Sequence, residues 1–153
     1  MPERELDKLL RTISPKLQAG QYVFCSLRAG KDKRFNLQPL CMFREEEGVS
    51  VVLEKSVADE KGLNYSSCWS WITCKVNSDL QAVGFLAAIT RKLAASGIPV
   101  NPISAFFHDH LLVPIDRTDE ALGLIRELSQ SSYIEEGPKT EQVSDAQYAA
   151  KNR

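Results

Sequence analysis

The two histidines of the chain flank a single aspartate, and this triplet is the most obvious candidate for chemistry. Side chains two positions apart on an extended strand share a face, so His108 and His110 allow an H-x-H metal site. No other histidine is present, no cysteine is close in sequence, and the triplet falls where two predicted strands reverse. Asp109 in such a turn commonly bonds its own backbone. The pattern therefore favours a structural or ligand-facing turn, with no metal ligands assigned.

A second candidate lies at the entry to the central helix. Ser78 followed three positions later by Gln81 is typical of a capping box, which predicts a helix from Ser78 to Gly97. Gly97 and Pro99 are its stop signals. Gly84 is small enough for tight helix packing or for a ligand to approach the backbone. Because a helix N-terminus presents unpaired N–H groups, this entry is suited to an anion.

Signals for catalysis are weaker. Glu45, Glu46 and Glu47 are consecutive, so their side chains diverge and predict a solvated hairpin end. Neither a nucleophile elbow nor a glycine-rich phosphate loop occurs in the sequence. The sequence therefore predicts a protein that is not an enzyme and that needs no cofactor.

Composition narrows the class of protein further. The chain has 153 residues, 43% of them hydrophobic and 25% charged, with a formal net charge of -1. That balance argues against nonspecific nucleic-acid binding, which depends on positive charge. No apolar run approaches the roughly 20 residues that span a bilayer. The four cysteines form no C-x-x-C pair and predict buried thiols. We therefore expect a cytoplasmic protein with no membrane partner.

Periodicity predicts the elements that must position these residues. The N-terminal half contains a helix at Glu3–Ile13, a strand at Gln21–Leu27, a loop at Arg28–Asn36, a hairpin of Leu40–Arg44 with Val49–Glu54, and a helix at Ser56–Lys61. The second half contains a strand at Cys68–Val76, the central helix, two strands within Ile98–Ile115 and a helix around Ala121–Leu128. This order predicts an α+β fold, an antiparallel sheet with helices on one face.

The strand Cys68–Val76 divides into two faces. Ile72 and Cys74 belong to the smaller set, which suits packing beneath helices, whereas Trp69 and Trp71 point the other way. Two tryptophans in water would form a large apolar patch, so we expect the N-terminal hairpin or a second subunit to cover them. Burial in a core is favoured over stacking on a ligand.

The predicted domain organisation has three parts. Residues 1–65 hold the N-terminal helix, strand and hairpin, a candidate degenerate half of the same type as the second. Residues 66–133 form the main domain. Residues 134–153 are polar, with few side chains to bury, and predict a flexible C-terminal tail.

The second half resembles a known family. The stretch VGFLAAITRKLAASGIPVNPISAFFHDHLLVPI followed by DEALGLIRELSQ looks like an ACT domain, a small regulatory βαββαβ module with a ferredoxin-like fold. The resemblance depends on Gly84 at the helix start, the Gly97-Ile98 exit and the strand through Ile103-Ser104. NSDLQAVGF combined with SAFFHDHLLVP is similar to a mostly bacterial branch of ACT-like proteins that includes relatives of the eukaryotic cytosolic arginine sensors. The resemblance as a whole covers roughly Leu6 to Leu128.

The resemblance implies a function and a site. ACT domains usually bind an amino acid or similar metabolite at an interface between paired modules, beside the loop that enters the first helix. On this chain the ligand-binding residues would be Ser78, Asp79, Leu80, Val83, Gly84, Phe85, Ser104, Ala105, Phe106, His108, Asp109 and His110. Asp79 or Asp109 would accept hydrogen bonds from the ligand's ammonium group.

The resulting expectation is a non-enzymatic regulatory protein that binds a small molecule and forms a homodimer or higher homo-oligomer. Two alternatives stay open at this point. In the first alternative, the chain is a structural or protein-interaction dimer without a ligand, and it engages a partner through the Trp69 and Trp71 face or the tail. Less favoured is a metal-binding protein that uses His108 and His110.

Overall fold

The helices that the structure describes all pack on one side of an antiparallel sheet. The computed structural model describes residues 1–27 and 37–134, with side chains as far as Gln130. The helices are α1 (Leu6–Thr12), α2 (Lys55–Glu60), α3 (Phe85–Ala95) and α4 (Thr118–Ile134), the last preceded by a 3-10 turn at Ile115–Arg117. The strands are β1 (Pro15–Leu17), β2 (Tyr22–Leu27), β3 (Cys41–Glu45), β4 (Gly48–Glu54), β5 (Trp69–Cys74), β6 (Asn101–Ser104) and β7 (Asp109–Pro114).

These strands form one antiparallel sheet in the order β3-β4-β2-β5-β7-β6, with β1 also beside β5. Strands β2 and β5 meet at a single residue pair, Tyr22 with Trp69, whereas β1 pairs with the other end of β5. The segment from Pro15 to Leu27 therefore pairs first with β5 and then with β4, and it joins the two halves of the sheet. The predicted α+β class and antiparallel pairing are confirmed.

The two faces of the sheet differ in their cover. On the helical face, Ile72 and Cys74 of β5 lie in a core shared with α1, α3 and α4, in which Ile89 and Leu93 are fully buried. Burying a side chain of this size stabilises the fold by about 1.5–3 kcal/mol. A second cluster joins β2 and β4 to Ala58 of α2 on the same side. This arrangement agrees with the alternation predicted for β5.

The opposite face carries aromatic side chains, and none of the described helices packs on it. Trp71 packs edge-on against Tyr22 with ring centroids 5.5 Å apart, and Trp69 packs edge-on against Phe24 at 5.8 Å. Both tryptophans are half-buried and belong to a cluster that includes Leu40 and Cys41 at the start of the hairpin. The predicted burial of the tryptophans is thus partial, with the hairpin supplying part of the cover.

The predicted start of the central helix is wrong. Helix α3 begins at Phe85, not at Ser78, and its N-cap is Gly84 with φ +93°. Residues 78–84 form a turn instead, because the Gln81 N–H donates to the Asp79 side chain and the Ala82 N–H to the Asp79 carbonyl. The Ser78 hydroxyl is bonded elsewhere and caps nothing. An aspartate-centred turn has displaced the predicted capping box.

The predicted end of the same helix is confirmed. Gly97 has φ +66°, its N–H donates to the Ala94 carbonyl, and the Ile98 N–H donates to the Leu93 carbonyl at 3.0 Å. These two bonds form a Schellman motif, which satisfies carbonyls that the helix leaves unpaired. Ile98 is buried and supplies the hydrophobic contact that accompanies the motif.

Strand β1 (Pro15–Leu17) was not predicted, and the other elements match the predictions within a few residues. Helix α1 is shorter than predicted, since it begins at Leu6, and α2 begins one residue early. The predicted loop Arg28–Asn36 and the tail beyond Ile134 lie outside the described residues.

Cys25 and Cys74 are buried, whereas Cys41 and Cys68 are half-buried. Within the described ranges, no helix has the length and apolar character needed to cross a membrane.

Candidate functional site

Asp109 is a buried carboxylate at the beginning of β7. Its side chain is on the helical face of the sheet, and the residue is only 5% exposed. It accepts a hydrogen bond of 2.8 Å from the Ser78 hydroxyl and a second from the Ser104 hydroxyl. The prediction that Asp109 bonds its own backbone in a tight turn is wrong. The sheet register pairs it with Ser104 across β6 and β7, which brings the serine hydroxyl within reach.

Asp109 has hydroxyl partners but no cationic one among the described ion pairs. Buried charges in proteins are usually paired, because an isolated ion loses its hydration. Among the described residues, Asp109 therefore lacks the cationic partner that a buried carboxylate usually has.

A cavity of about 130 Å³ lies beside Asp109, between the turn 78–84 and the end of β6. Its lining consists of Ser78, Asp79, Leu80, Ala82, Gly84, Phe85, Leu86, Ala87, Ser104, Ala105 and Asp109. The first helical bond of α3 runs from the Ala88 N–H to the Gly84 carbonyl, so the N–H groups of Phe85, Leu86 and Ala87 have no acceptor in the helix. One cavity therefore combines a negative carboxylate with the positive end of a helix.

The backbone and the packing of α1 both favour glycine at position 84. A β-carbon there would lie 3.2 Å from Cδ2 of Leu6, and the φ of +93° is one that other residues rarely adopt. Gly84 also lines the cavity, and a ligand's approach to its backbone stays a prediction.

Asp79 lies at the mouth of the cavity and is already engaged. Its side chain lies 2.8 Å from Nε of Arg4 and accepts a bond from the Gln81 N–H. The Gln81 N–H and, less strongly, the Arg4 guanidinium hold the pKa of Asp79 below its ordinary value. Asp79 is thus ionised and neutralised locally, which makes Asp109 the better partner for a ligand's ammonium group.

The N-terminal segment forms one wall of this region. The Glu3 N–H donates to the Asn77 carbonyl and the Asp79 N–H donates to the Glu3 carbonyl, both at 2.9 Å. Sequence reasoning missed Arg4 and Glu3, since contacts between segments this far apart leave no local signal in a single sequence.

An open apolar groove of about 370 Å³ adjoins the cavity. It is lined by Pro2, Asn77, Ser78, Asp79, Leu80, Phe106 and Phe107. The rings of Phe106 and Phe107 meet edge-on with centroids 4.9 Å apart, and both side chains are largely exposed. Phe107 was not among the predicted site residues, although it directly follows Phe106.

The two histidines make separate structural bonds. The ring Nδ1 of His108 donates to the Val76 carbonyl at 3.1 Å. The ring Nδ1 of His110 accepts from the Trp71 indole N–H at 3.0 Å, on the opposite face of the sheet from Asp109. Burial and, to a smaller degree, the charge of His108 lower the pKa of His110. In the described ranges no group of three or more His, Cys, Asp or Glu side chains is placed to hold a metal ion.

The predicted site residues therefore separate into three groups. Those that line the cavity beside Asp109 are Ser78, Asp79, Leu80, Gly84, Phe85, Ser104, Ala105 and Asp109 itself. Phe106 lines the adjoining groove. Val83, His108 and His110 line neither, and Val83 is 84% exposed. The lining residues that were not among the predicted site residues are Ala82, Leu86 and Ala87 in the cavity and Pro2, Asn77 and Phe107 in the groove.

A larger cavity of about 510 Å³ lies elsewhere, between α2 and the aromatic residues Tyr22 and Trp71. Its acidic side chains Glu54 and Glu60 are exposed, and Glu60 is paired with Lys61 at 2.7 Å. Among its described lining residues, this cavity therefore has no buried carboxylate like Asp109.

Two family models match overlapping parts of the chain. One family model of the ACT domain matches residues 1–70, and a second ACT domain model matches residues 66–127. No protein with a curated function matches the sequence.

Solved structures share the fold. A Vibrio cholerae protein of unknown function, described as a possible transport protein, is 41% identical, with a TM-score of 0.74 over 82% of this chain and 96% of that one. A protein from Agrobacterium tumefaciens is 19% identical, with a TM-score of 0.65 over 76% of this chain and 89% of that one. The regulatory subunit of aspartate kinase from Thermus flavus is 8% identical, with a TM-score of 0.51 over 76% and 95%.

The last two likenesses concern the fold alone. The family assignment depends instead on the two models, which together match residues 1–127, and it agrees with the antiparallel sheet and one-sided helices described above. This chain belongs to the ACT domain family, whose members are regulatory, ligand-binding modules.

Proposed function

We propose that this ACT protein is a non-enzymatic regulator that binds an amino acid, or a similar small zwitterion, at the entry to α3. The observation that carries the proposal is the buried carboxylate of Asp109, which shares a cavity with the first turn of a helix. The two groups have opposite charge character, and an α-amino acid presents an ammonium and a carboxylate to match them.

The ammonium group would lie against Asp109. A hydrogen bond to a charged group contributes about 1.5–3 kcal/mol. The gain is largest where the charge is buried and lacks an ionic partner, as it is here. Ser78 and Ser104 hold the carboxylate in place from two sides, so little ordering is left to the binding step.

The ligand's carboxylate would lie at the N-terminus of α3. The N–H groups of Phe85, Leu86 and Ala87 have no helical acceptor, and the helix dipole adds partial positive charge at this end. The cavity of about 130 Å³ lies between this helix end and Asp109, so a ligand bound in it would contact both.

Regulation would come through assembly. We propose a cytoplasmic homodimer or higher homo-oligomer whose pairing changes with the ligand, since a ligand shifts an equilibrium only by binding one arrangement better. The exposed apolar side chains Leu80, Val83 and Phe106 beside the site suit a second copy or a regulated partner. The shared fold of an aspartate kinase regulatory subunit supports a regulatory role. With a net charge of -1, nucleic acid is not part of the proposal.

A thermal-shift screen of the twenty amino acids tests this function. We expect at least one of them to raise the melting temperature at millimolar concentration, because a ligand that binds only the folded state stabilises it. Asp109→Asn keeps the shape and removes the charge, so it should abolish the shift. Asp119→Asn, at an exposed position in α4, is the matched control and should leave the shift unchanged.

Asp79→Ala adds a second comparison, because Asp79 is neutralised by Arg4. It should reduce the shift less than Asp109→Asn does. The absence of a shift with every amino acid would remove the proposal, and so would a shift that survives Asp109→Asn.

The uncovered aromatic face supports a second candidate, a protein-interaction module without a ligand. Phe43 is 73% exposed on the same face as Phe24 and Trp69, and no helix within residues 1–27 or 37–134 covers this side of the sheet. In that case Phe43→Ser should weaken self-association in sedimentation experiments, and no metabolite should change the melting temperature.

A further inference from the structure

The apolar groove beside the cavity indicates which amino acids fit. We infer that the ligand is an α-amino acid with an unbranched or branched apolar side chain, which lies in the groove formed by Leu80, Phe106 and Phe107. This inference depends on the proposed function, since it assumes that the zwitterionic end of the ligand occupies the cavity beside Asp109.

The cavity and the groove adjoin along both of their sides. On one side they share Ser78, Asp79 and Leu80. On the other side they follow consecutive parts of the turn between β6 and β7, with Ser104 and Ala105 in the cavity and Phe106 and Phe107 in the groove. A side chain that leaves the cavity between these two segments enters the groove.

The sizes of the two spaces separate their roles. The cavity of about 130 Å³ is the smaller and the more polar of the two spaces, so it suits the zwitterionic end of an amino acid. The groove of about 370 Å³ is large enough for an aliphatic or aromatic side chain. The ligand therefore spans a small polar space and a larger apolar one.

The groove suits an apolar side chain better than a charged one. Leu80, Phe106 and Phe107 are 66%, 72% and 64% exposed, so each has apolar surface that a ligand would remove from water. Asp79 is the sole charged residue in the groove's described lining, and its carboxylate is bonded to Arg4 and to the Gln81 N–H. A basic side chain would have to displace Arg4, and an acidic one would meet Asp79 directly.

A homologous series of ligands tests the inference. Alanine, 2-aminobutyrate, norvaline and norleucine share one zwitterionic end and differ by single methylenes. By isothermal titration calorimetry we expect the Kd to fall by up to about fourfold for each added methylene. Glutamate, glutamine and lysine, which are of similar length, should bind no more tightly than alanine.

Two variants locate the effect. In the double variant Phe106→Ser/Phe107→Ser, the Kd should depend less on the length of the ligand's side chain. The Kd for alanine should stay within about twofold of its value in the unmodified protein. Asp109→Asn should instead weaken every member of the series by about tenfold or more, because it removes the partner of the common ammonium group.

The outcomes distinguish a failure of this inference from a failure of the proposed function on which it depends. If no amino acid binds at all, the proposed function fails and the inference fails with it. If polar amino acids bind as tightly as norleucine, or the series is flat, the function stands and the inference is overturned. It is also overturned if the double serine variant dissociates an oligomer in sedimentation experiments yet leaves the chain-length dependence intact, because the groove would then be an interface between copies.

Discussion

The hydroxyl of Ser78 donates a 2.8 Å hydrogen bond to the carboxylate of Asp109, across 31 residues of sequence. Both side chains are buried, so the bond lies where an unmade one is costly. It ties the turn before α3 to the beginning of β7. The two sides of the candidate ligand site therefore cannot separate without breaking it.

Ser78→Ala should destabilise the protein by about 1–3 kcal/mol, because it removes a donor from a buried carboxylate. Urea unfolding measures the change. The double variant Ser78→Ala/Asp109→Asn should lower the free energy of unfolding by less than the sum of the two single changes, because the bond between the two side chains can be lost only once. Simple additivity of the two effects would show that the bond contributes little to the folded state.

Gly84→Ala should cost more than Gly97→Ala, although both glycines lie at ends of α3 with positive φ. At Gly97 a β-carbon meets nothing within 4 Å, so the cost is the left-handed backbone alone, about 1–2 kcal/mol. At Gly84 the same backbone cost is joined by the contact with Leu6 at 3.2 Å. Equal changes in the free energy of unfolding would contradict this account of how α1 packs.

Arg4→Ala should change stability by less than about 1 kcal/mol, because Arg4 is 60% exposed and ion pairs at the surface contribute little. The same variant should leave the Asp79 carboxylate without its cationic partner and so weaken discrimination against basic ligands. Titration with lysine measures this: the Kd for lysine should fall in Arg4→Ala and stay unchanged in Lys16→Ala, a control at an exposed position of β1.

The protein should lose stability as the pH falls below about 6.5, the ordinary pKa of histidine. Burial, and then the charge of His108, lower the pKa of His110 in the folded state, so the unfolded chain takes up the proton first. Stability is therefore fully present above the unfolded pKa and declines down to the folded pKa. Protonated His110 would also lose its bond from the Trp71 indole, since both groups would then be donors.

The pH dependence of unfolding in urea between pH 7.5 and 5.5 tests this. His110→Asn should flatten the dependence, because asparagine does not titrate. His108→Asn should keep most of it, since burial is the larger cause of the shift. A profile that His110→Asn leaves unchanged would show that another group is responsible.

Local sequence signals predicted correctly those features that depend on residues close together in the chain. The exit of α3 was predicted correctly because Gly97, Ile98 and Pro99 carry all the information that a Schellman motif needs. The two faces of β5 followed from strict alternation, and the antiparallel sheet from the order of its elements. The exit of α3 and the two faces of β5 each depend on residues that are neighbours in sequence.

Long-range contacts account for what the sequence did not predict. The entry of α3 was misplaced because Ser78 bonds Asp109, and Asp79 caps its own turn, in preference to a helix starting at Ser78. The choice of Asp109 over Asp79 depends on Arg4, which lies beside Asp79 because the backbone of Glu3 is bonded to Asn77 and Asp79. A single sequence contains no signal for that pairing. The ligand-binding role of these residues and the domain boundaries at 65 and 133 stay predictions.

Backbone amide shifts in ¹⁵N NMR, recorded during titration with the amino acid that stabilises the protein most, test the central claim most directly. The account predicts that the largest changes fall on Phe85, Leu86 and Ala87 at the first turn of α3 and on Asp109, and that they vanish in Asp109→Asn. Changes centred instead on Tyr22 and Trp71, at the larger cavity beside α2, would contradict it.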